Sequence, residues 1–255
     1  MPEKERQLGI IAEVRKNVGV SVKELADKFE VSANTIRSDL EKLEAEGIVK
    51  KIHGAAVLND LSDYDLPFNR REIENKVEKN IIGKKAASLI NEDETIIVDA
   101  GTTCLAVANH IKSKKGITVL TNSVAVAREL DENPEIVVIL SGGVLKGVTR
   151  SLIGPPAEDF FELVEVDKLF LAAGAVSIDK NRISNPNLQE NPVKKSMMKT
   201  AEEVILVIDS RKLEASALYP FASFEDIDKI IIDNNLTTAQ KQKLEKLPLQ
   251  IIYAS

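Results

Sequence analysis

Residues 21–58 read SVKELADKFEVSANTIRSDLEKLEAEGIVKKIHGAAVL. Ser21 followed by Glu24 is an S-x-x-E capping box, so a helix starts there, with Val22, Leu25, Ala26 and Phe29 spaced along one apolar face. Residues 30–32 interrupt it, and Ser32 offers a second N-cap whose hydroxyl can accept from the amides of Asn34 or Thr35. A second helix therefore begins at Ala33. Ile36, Leu40 and Leu43 fall at i, i+4 and i+7 and turn inward, leaving Ala33, Asn34, Thr35, Arg37, Ser38 and Glu41 on or near the outer face. Small polar groups at the front of an exposed helix suit close approach to base edges. Gly47 fits the left-handed position that stops the helix, Ile48 to Lys51 alternate into a strand, and His53-Gly54 makes the turn of a wing.

The same stretch resembles the N-terminal domain of the DeoR family of bacterial transcription regulators. That family's motif reads V-S-x-x-T-I-R-R-D-L-x-x-L-E-x-x-G followed by H-G-G-A. Val31, Ser32, Thr35, Ile36, Arg37, Asp39, Leu40, Leu43, Glu44, Gly47, His53 and Gly54 stand in the matching places. Ser38 replaces the family's second arginine and Ala55 its second glycine. The resemblance implies a winged helix-turn-helix that binds double-stranded operator DNA. Ser32, Asn34, Thr35, Arg37 and Ser38 are expected in the major groove, with Lys50, Lys51 and His53 on phosphates or in the minor groove.

Composition bounds the rest. At 255 residues and 44% hydrophobic content, the chain can bury one sizeable core and one small satellite domain. The net charge of −6 gives no blanket attraction to nucleic acid. Residues 1–58 carry ten Lys and Arg against ten Asp and Glu, so any DNA contact must come from a local surface. The one cysteine, Cys104, excludes an internal disulfide framework and fits a reducing compartment. With no charged-then-apolar leader and no apolar run near 18 residues in length, a cytoplasmic protein without a membrane span is expected. No repeat, low-complexity tract or Cys/His cluster with zinc spacing is present, and neither His53 nor His110 has a partner at ligand spacing.

Glu3 to Asn17 reads as a first helix, with Leu8, Ile11 and Ala12 packing on the other two. Residues 59–74 read as a linker: 59–69 (NDLSDYDLPFN) mix Asp, Asn, Ser and Pro without helical period. Beyond it, Ile81 to Ile90 is an amphipathic helix. Thr95–Asp99, Ile117–Leu120, Ile136–Leu140, Lys168–Ala172, Val204–Asp209 and Lys229–Ile232 are short β-branched runs, with helical segments between several of them. Such alternation predicts an α/β domain over 75–255, with a mostly parallel sheet covered on both faces. Ligands of such sheets collect beyond the carboxyl ends of the strands.

Asp99-Ala100-Gly101-Thr102-Thr103 leaves one strand and opens a helix. Gly101 lets the backbone approach a ligand, and the helix-start amides with two hydroxyls make an anion cradle suited to phosphate. A glycine turn with threonine caps is the plain alternative. The next strands end in Thr121-Asn122-Ser123, Ser141-Gly142-Gly143 and Ala173-Gly174, and this run of small and hydroxyl ends favours a sugar-phosphate reading. Lys194 and Lys212 are placed to bring positive charge to the rim, and Asp99 to orient either a sugar hydroxyl or the cradle backbone. Cys104 follows the cradle at a helix start, where a thiol pKa can fall, although a buried core role is the expectation.

Here too the chain resembles the DeoR family. D-x-G-T-T, T-N-S, G-G, V-D-K-L-F-L, E-x-x-V-K-K-x-M and D-S-x-K match its sugar-phosphate-sensing domain, and Phe68, Arg71, Asn75 and Lys79 match its F-x-x-R…N…K connector. That domain is similar in fold to ribose-5-phosphate isomerase, with which Lys194 aligns. Isomerisation needs a carboxylate base, and the resemblance would place acids at Gly174 and Ala175. Ala172, Ala173, Gly174 and Ala175 also replace the family's glycine-rich G-A-x-G. The expectation is a regulator rather than an enzyme, without cofactor or metal, and at least a homodimer or homotetramer. Its effector would be a phosphorylated sugar held by Asp99, Gly101, Thr102, Thr103, Thr121, Asn122, Ser123, Gly142, Gly143, Gly174, Lys194 and Lys212. An enzyme acting on sugar phosphates and a protein-binding winged head are the competing readings.

Overall fold

The computed structural model describes residues 2–16, 20–45, 49–52, 55–58, 66–215 and 217–255. The chain divides into two compact units, Met1–Pro67 and Phe68–Ser255.

In the first unit, α1 (Glu3–Lys16), β1 (Val20–Ser21), α2 (Val22–Phe29) and α3 (Ala33–Ala45) precede a hairpin of β2 (Val49–Ile52) and β3 (Ala55–Leu58). The Ser21 capping box forms as the sequence predicts: Ser21 Oγ accepts from Glu24 N at 3.2 Å, and Glu24 accepts from Ser21 N at 2.7 Å. β1, β3 and β2 make an antiparallel sheet in that order, with Lys51 opposite Ala56. His53, Gly54 and Gly47, expected at the wing turn and the helix stop, lie outside the described residues, as do residues 59–65 of the expected linker.

The core is built from Ile10, Ile11, Val14, Leu25, Ile36, Leu40, Leu43, Val49 and Leu66. The inward face of α1 is thus set by Ile10 and Val14 rather than by Ala12, which is exposed. Leu8 and Ala12 lie one turn apart, but the face is centred on the Ile10–Ile11–Val14 side. A buried ion pair crosses this core. Arg6 of α1 grips Asp39 of α3 through two bonds, Nε to Oδ2 at 2.6 Å and Nη2 to Oδ1 at 3.2 Å. The carboxylate raises the Arg6 pKa further, and Asp39 is almost wholly buried.

In the second unit, α4 (Phe68–Ile73) and α5 (Lys76–Ala87) lead into β4 (Thr95–Val98), α6 (Thr102–Ile111), β5 (Thr118–Thr121), α7 (Val124–Leu130) and β6 (Val137–Leu140). A hairpin of β7 (Val144–Lys146) and β8 (Ser151–Ile153) follows, then α8 (Pro155–Glu162), β9 (Val166–Leu171), β10 (Ala175–Ser177) and β11 (Arg182–Asn185). The unit ends with α9 (Asn191–Thr200), β12 (Ala201–Ile208), β13 (Tyr219–Ala222), β14 (Lys229–Asp233), α10 (Thr238–Leu244) and β15 (Gln250–Ala254).

The main sheet runs β15-β14-β12-β9-β4-β5-β6, parallel at every pairing. Side chains alternate across it with the two-residue period of a strand. Ile97, Leu120, Leu169, Leu171, Leu206 and Ile230 face a layer holding Phe161, Val193 and Met197 of α8 and α9. Ile96, Val98, Val119, Phe170, Ile205 and Ile231 face the opposite layer, with Ile82, Val107 and Val126 of α5, α6 and α7. Gly83 lets α5 lie directly on α6, since a Cβ there would stand 2.4 Å from Ala106 O. Among the described residues no helix is long and apolar enough to cross a membrane.

Two expectations are corrected. Residues 68–73, read as linker, form α4, because Phe68 is buried with Leu105 and Ala125 and its amide bonds Val148 O at 2.9 Å. The helix expected from Ile81 starts at Lys76.

Removing the Arg6 partner tests the first core. Asp39→Ala leaves the guanidinium without its carboxylate and should cost about 2 kcal/mol, between an exposed pair and a deeply buried one. Urea unfolding followed by circular dichroism reads it, and a change below a few tenths would show the pair to be dispensable.

Candidate functional site

The α3 front is prearranged by short-range bonds. Ser32 Oγ accepts from Thr35 N at 3.1 Å and lies 2.9 Å from Thr35 Oγ1. Arg37 Nη1 donates to Asn34 Oδ1 at 2.8 Å. Asn34, Arg37 and Ser38 are exposed on one face while Ile36 and Leu40 turn inward, so the four α3 residues expected to read bases stand together with Ser32 at the start of the helix. Lys50 and Lys51 lie on the wing strand β2.

In the second unit the strand ends meet around Asp99. Its Oδ1 accepts from Ala100 N at 2.7 Å, and its Oδ2 accepts from Ala172 N at 3.0 Å and from Lys194 Nζ. Lys194 also donates to Ala172 O at 3.0 Å, and both side chains are buried. Burial raises the Asp99 pKa, while Lys194 and the two amides work against that rise. Of the two roles left open for Asp99, its bonds match the orienting of the cradle backbone.

That backbone then passes very close to the next strand end. A Cβ on Gly101 would stand 2.9 Å from Ala172 Cβ, so only glycine fits without displacing it. α6 opens at Thr102 with no side-chain cap, leaving its first amides without intrahelical acceptors. Among the described residues the Thr102 and Thr103 hydroxyls have no hydrogen-bond partner in the chain.

The second strand end is different. Thr121 Oγ1 donates to Val98 O at 2.6 Å and accepts from Ser123 N at 3.0 Å; Asn122 Oδ1 accepts from Ala100 N at 3.0 Å; Ser123 Oγ caps α7 through Val126 N at 3.3 Å. All three are buried. Their side chains therefore brace the cradle and are not open to a ligand. Gly142 and Gly143 are exposed after β6, and Gly174 packs against Pro186, which a Cβ would meet at 2.5 Å.

Lys212 belongs to a separate group. At the end of β12, Asp209 accepts from Asn75 Nδ2 at 2.8 Å and from Arg211 Nε at 3.5 Å, while its Oδ2 has no partner. Arg211 also reaches Glu74 at 3.5 Å. Lys79 is 5% exposed and donates to the carbonyls of Arg71 and Glu74. Burial lowers the Lys79 pKa to about 8 against the pull of Asp209, with Lys212 and Arg211 adding to the fall. Burial lowers Lys212 as well, opposed by Asp209 and helped by Arg71 and Arg211. Four cations, Arg71, Lys79, Arg211 and Lys212, thus surround two carboxylates, Asp209 and Glu74.

Sequence reasoning singled out Lys79 and Arg71 only as connector residues, and Asp209 only as a strand end. The one local signal was the run Asp209-Ser-Arg-Lys212. Glu190, named only in its motif, is also buried and accepts from Ser151 Oγ and Asn185 Nδ2, each at 2.9 Å. Burial would raise its pKa, but Lys194 and the Thr149 and Ser151 hydroxyls hold it below the ordinary value. Cys104 is fully buried and its thiol pKa is raised well above the usual value by burial, which matches a core residue.

Comparison with known proteins accounts for both units. Residues 6–61 match the profile of the DeoR-like helix-turn-helix domain, and residues 74–234 match the DeoR C-terminal sensor domain. The HTH-type transcriptional regulator GolR of Listeria innocua is 34% identical over 249 residues, covering 97% of this chain and 98% of its own. The transcriptional repressor AccR of Agrobacterium fabrum is 30% identical over 251 residues, covering 98% and 97%. Among solved structures, ribose 5-phosphate isomerase A from Neisseria gonorrhoeae is 17% identical with a TM-score of 0.40, covering 54% of this chain and 53% of its own, a likeness too slight to bear on chemistry. The chain belongs to the DeoR family of DNA-binding transcriptional regulators, with a helix-turn-helix head and a C-terminal sensor domain.

Proposed function

We propose that the protein represses an operon of sugar metabolism in the cytoplasm and that a phosphorylated sugar, bound at the cradle, alters its grip on operator DNA. It acts as a regulator and not as an enzyme, and its expected form is a homodimer or homotetramer. A relative in Escherichia coli O157:H7, 29% identical over 250 residues, is named a putative aga operon transcriptional repressor. The observation that carries the sensor reading is the pair of unpartnered hydroxyls, Thr102 and Thr103, at an uncapped helix start, where Gly101 brings the backbone within reach. Helix-start amides and hydroxyls recognise phosphate oxygens. Asp99, Thr121, Asn122 and Ser123 hold that backbone in place, Lys194 stays by Asp99, and Gly142, Gly143 and Gly174 border the rim. The cations around Lys212 and Lys79 supply the attraction. In the head, Ser32, Asn34, Thr35, Arg37 and Ser38 read bases, while Lys50, Lys51 and His53 meet the backbone of the DNA.

Fluorescence anisotropy with DNA from the protein's own upstream region, at two salt concentrations and against a panel of sugar phosphates, tests both halves. Sequence-preferring binding that weakens with salt and responds to one compound is expected. No preference over random DNA with any compound would remove the proposal. Arg37→Ala should cost about 1–3 kcal/mol in specific binding and relax the operator preference.

Gly101→Ala forces its Cβ against Ala172 and should weaken the effector by roughly tenfold or more, the cost of an overpacked contact. DNA binding without effector should stay unchanged. Calorimetric titration of the effector into both proteins reads this, and equal affinities would place the ligand elsewhere.

The Lys79 pKa of about 8 sets a pH dependence. An anion nearby favours the charged form and raises that pKa in the complex. The Lys79 contribution to affinity is then steady below pH 8, and affinity falls by up to about tenfold per unit as pH rises from there to the bound-state value. Lys79→Met should bind more weakly at pH 7 and lose that slope. A wild-type affinity flat from pH 7 to about 9.5 would show that Lys79 does not feel the ligand.

A further inference from the structure

Leu66 is anchored in the core of the first unit, and Phe68, two residues on, is 2% exposed against Leu105 and Ala125 in the second. Only Pro67 lies between them, and its ring fixes its own φ while restricting the residue before it. Two anchors this close leave the chain few free torsions for as long as Phe68 keeps its seat. Phe68 is also the first residue of α4, so the seat and the helix stand or fall together.

α4 has six residues, too few to hold a helix unaided. Both of its ends are held from outside. At the start, Phe68 N donates to Val148 O at 2.9 Å, the Arg150 guanidinium lies 4.7 Å from the centre of the Phe68 ring, and the same group donates to Asn69 Oδ1. Just past the end, Asn75, in the left-handed region at φ 49°, donates through Nδ2 to Asp209 Oδ1 at 2.8 Å. Lys79 donates to the carbonyls of Arg71 and Glu74, where the last carbonyls of a helix lack intrahelical donors.

These supports are joined to the cradle or to its cations. Leu105, on which Phe68 packs, closes the first turn of α6 through its amide to Gly101 O at 2.9 Å. Arg150 O accepts from Val124 N at 3.1 Å and Leu152 N donates to Asn122 O at 2.7 Å, while Asn122 Oδ1 holds Ala100 N beside Gly101. An anion on the amides of residues 102 and 103 stabilises the helix start, and with it the turn that carries Leu105. The same negative charge favours the ammonium form of Lys79, which holds the far end of α4.

We propose that α4 is a strap whose docking is linked to the cradle: a bound anion keeps Phe68 and the end of α4 seated, and without it the strap leaves its seat more often. This rests on the anion cradle proposed above and names how its occupancy reaches the head. Once unseated, the six residues can extend from about 9 Å to about 20 Å, so the connection behind the head lengthens by roughly 10 Å. A longer tether spreads the head over a wider volume and lowers its effective concentration at a DNA half-site. Linkage runs both ways, so whatever firms the strap also tightens the anion.

Hydrogen exchange read by mass spectrometry on the full chain tests this, in inorganic phosphate against sodium chloride of equal ionic strength. Phosphate should slow the amides of residues 68–75 and of 102–105 together, by roughly tenfold at saturation, since exchange through local opening follows the opening constant. Arg150→Gln removes the cation over Phe68. It should speed the 68–75 amides without phosphate and lower phosphate affinity several-fold, because part of the binding-competent population is lost. Should that variant misfold, Asn75→Gly, which keeps the left-handed turn and removes the Asp209 bond, makes the same comparison. Slowing at 102–105 with residues 68–75 indifferent or faster overturns the strap and leaves the cradle standing. So do variants that leave the exchange of the strap unchanged, or that open it without weakening phosphate. Neither segment responding to phosphate, or to any sugar phosphate of the panel, removes the cradle reading and the strap with it.

Discussion

The sensor domain depends on the carboxylate of Asp99. Its two oxygens take the amide of its own turn, the amide that ends the neighbouring strand β9, and the ammonium of Lys194 on α9. Two strand ends and a helix are thereby fixed to one buried group. A carboxylate out of water is tolerated only when its lone pairs are met, and here three donors meet them. The fit of Gly101 against Ala172 follows from the same clamp, since Asp99 holds Ala172 itself and Ala100, the residue before Gly101. A helix start is useful as an anion cradle only if its surroundings do not relax, and the Thr121, Asn122 and Ser123 bonds extend that rigidity to β5.

The head solves a different problem with local means. Its helices are short, so their stability comes from packing and from end effects rather than from propensity. Ser21 with Glu24, and Ser32 with Thr35, satisfy the starts of α2 and α3, and Arg6 with Asp39 locks α1 to the helix that presents the reading face. Because Ile36, Leu40 and Leu43 claim the inner face, Asn34, Arg37 and Ser38 have only the outer one.

This contrast explains what could be read from residues alone. Caps and apolar periods act within four residues, and α1, α2 and α3 fell close to the expected bounds. The buried parallel strands β4, β5, β9, β12 and β14 were legible because strands covered on both faces are nearly continuous runs of Val, Ile and Leu, and the edge strand β6 carries the same kind of run although it is largely exposed. β15 and the small hairpins lacked that length or context, and α4 was hidden because what makes it a helix is Phe68 finding Leu105 and Ala125. At the site, residue types were visible but bond directions were not. Thr102 and Thr121 are the same side chain after similar strands, yet one hydroxyl is unpartnered and the other is held by Val98 O. Lys194 and Asp99 are 95 positions apart, so their pairing is a product of the fold.

That pairing changes where the positive charge for an anion must come from. Lys194 looks in sequence like the cation of the cradle, but Asp99 already balances it. The excess lies one strand further, where Arg71, Lys79, Arg211 and Lys212 outnumber Asp209 and Glu74. On a chain of net charge −6 this is a local field, short in range at cellular salt, and it acts on an anion already at the rim. Keeping Lys79 charged there at neutral pH costs roughly 3 kcal/mol by its fall from the ordinary value to about 8. In the proposed complex the incoming anion offsets that cost, so the strain becomes part of the affinity. Ligand binding at the proposed site would then stabilise the sensor in the arrangement where the cations and the cradle are satisfied together.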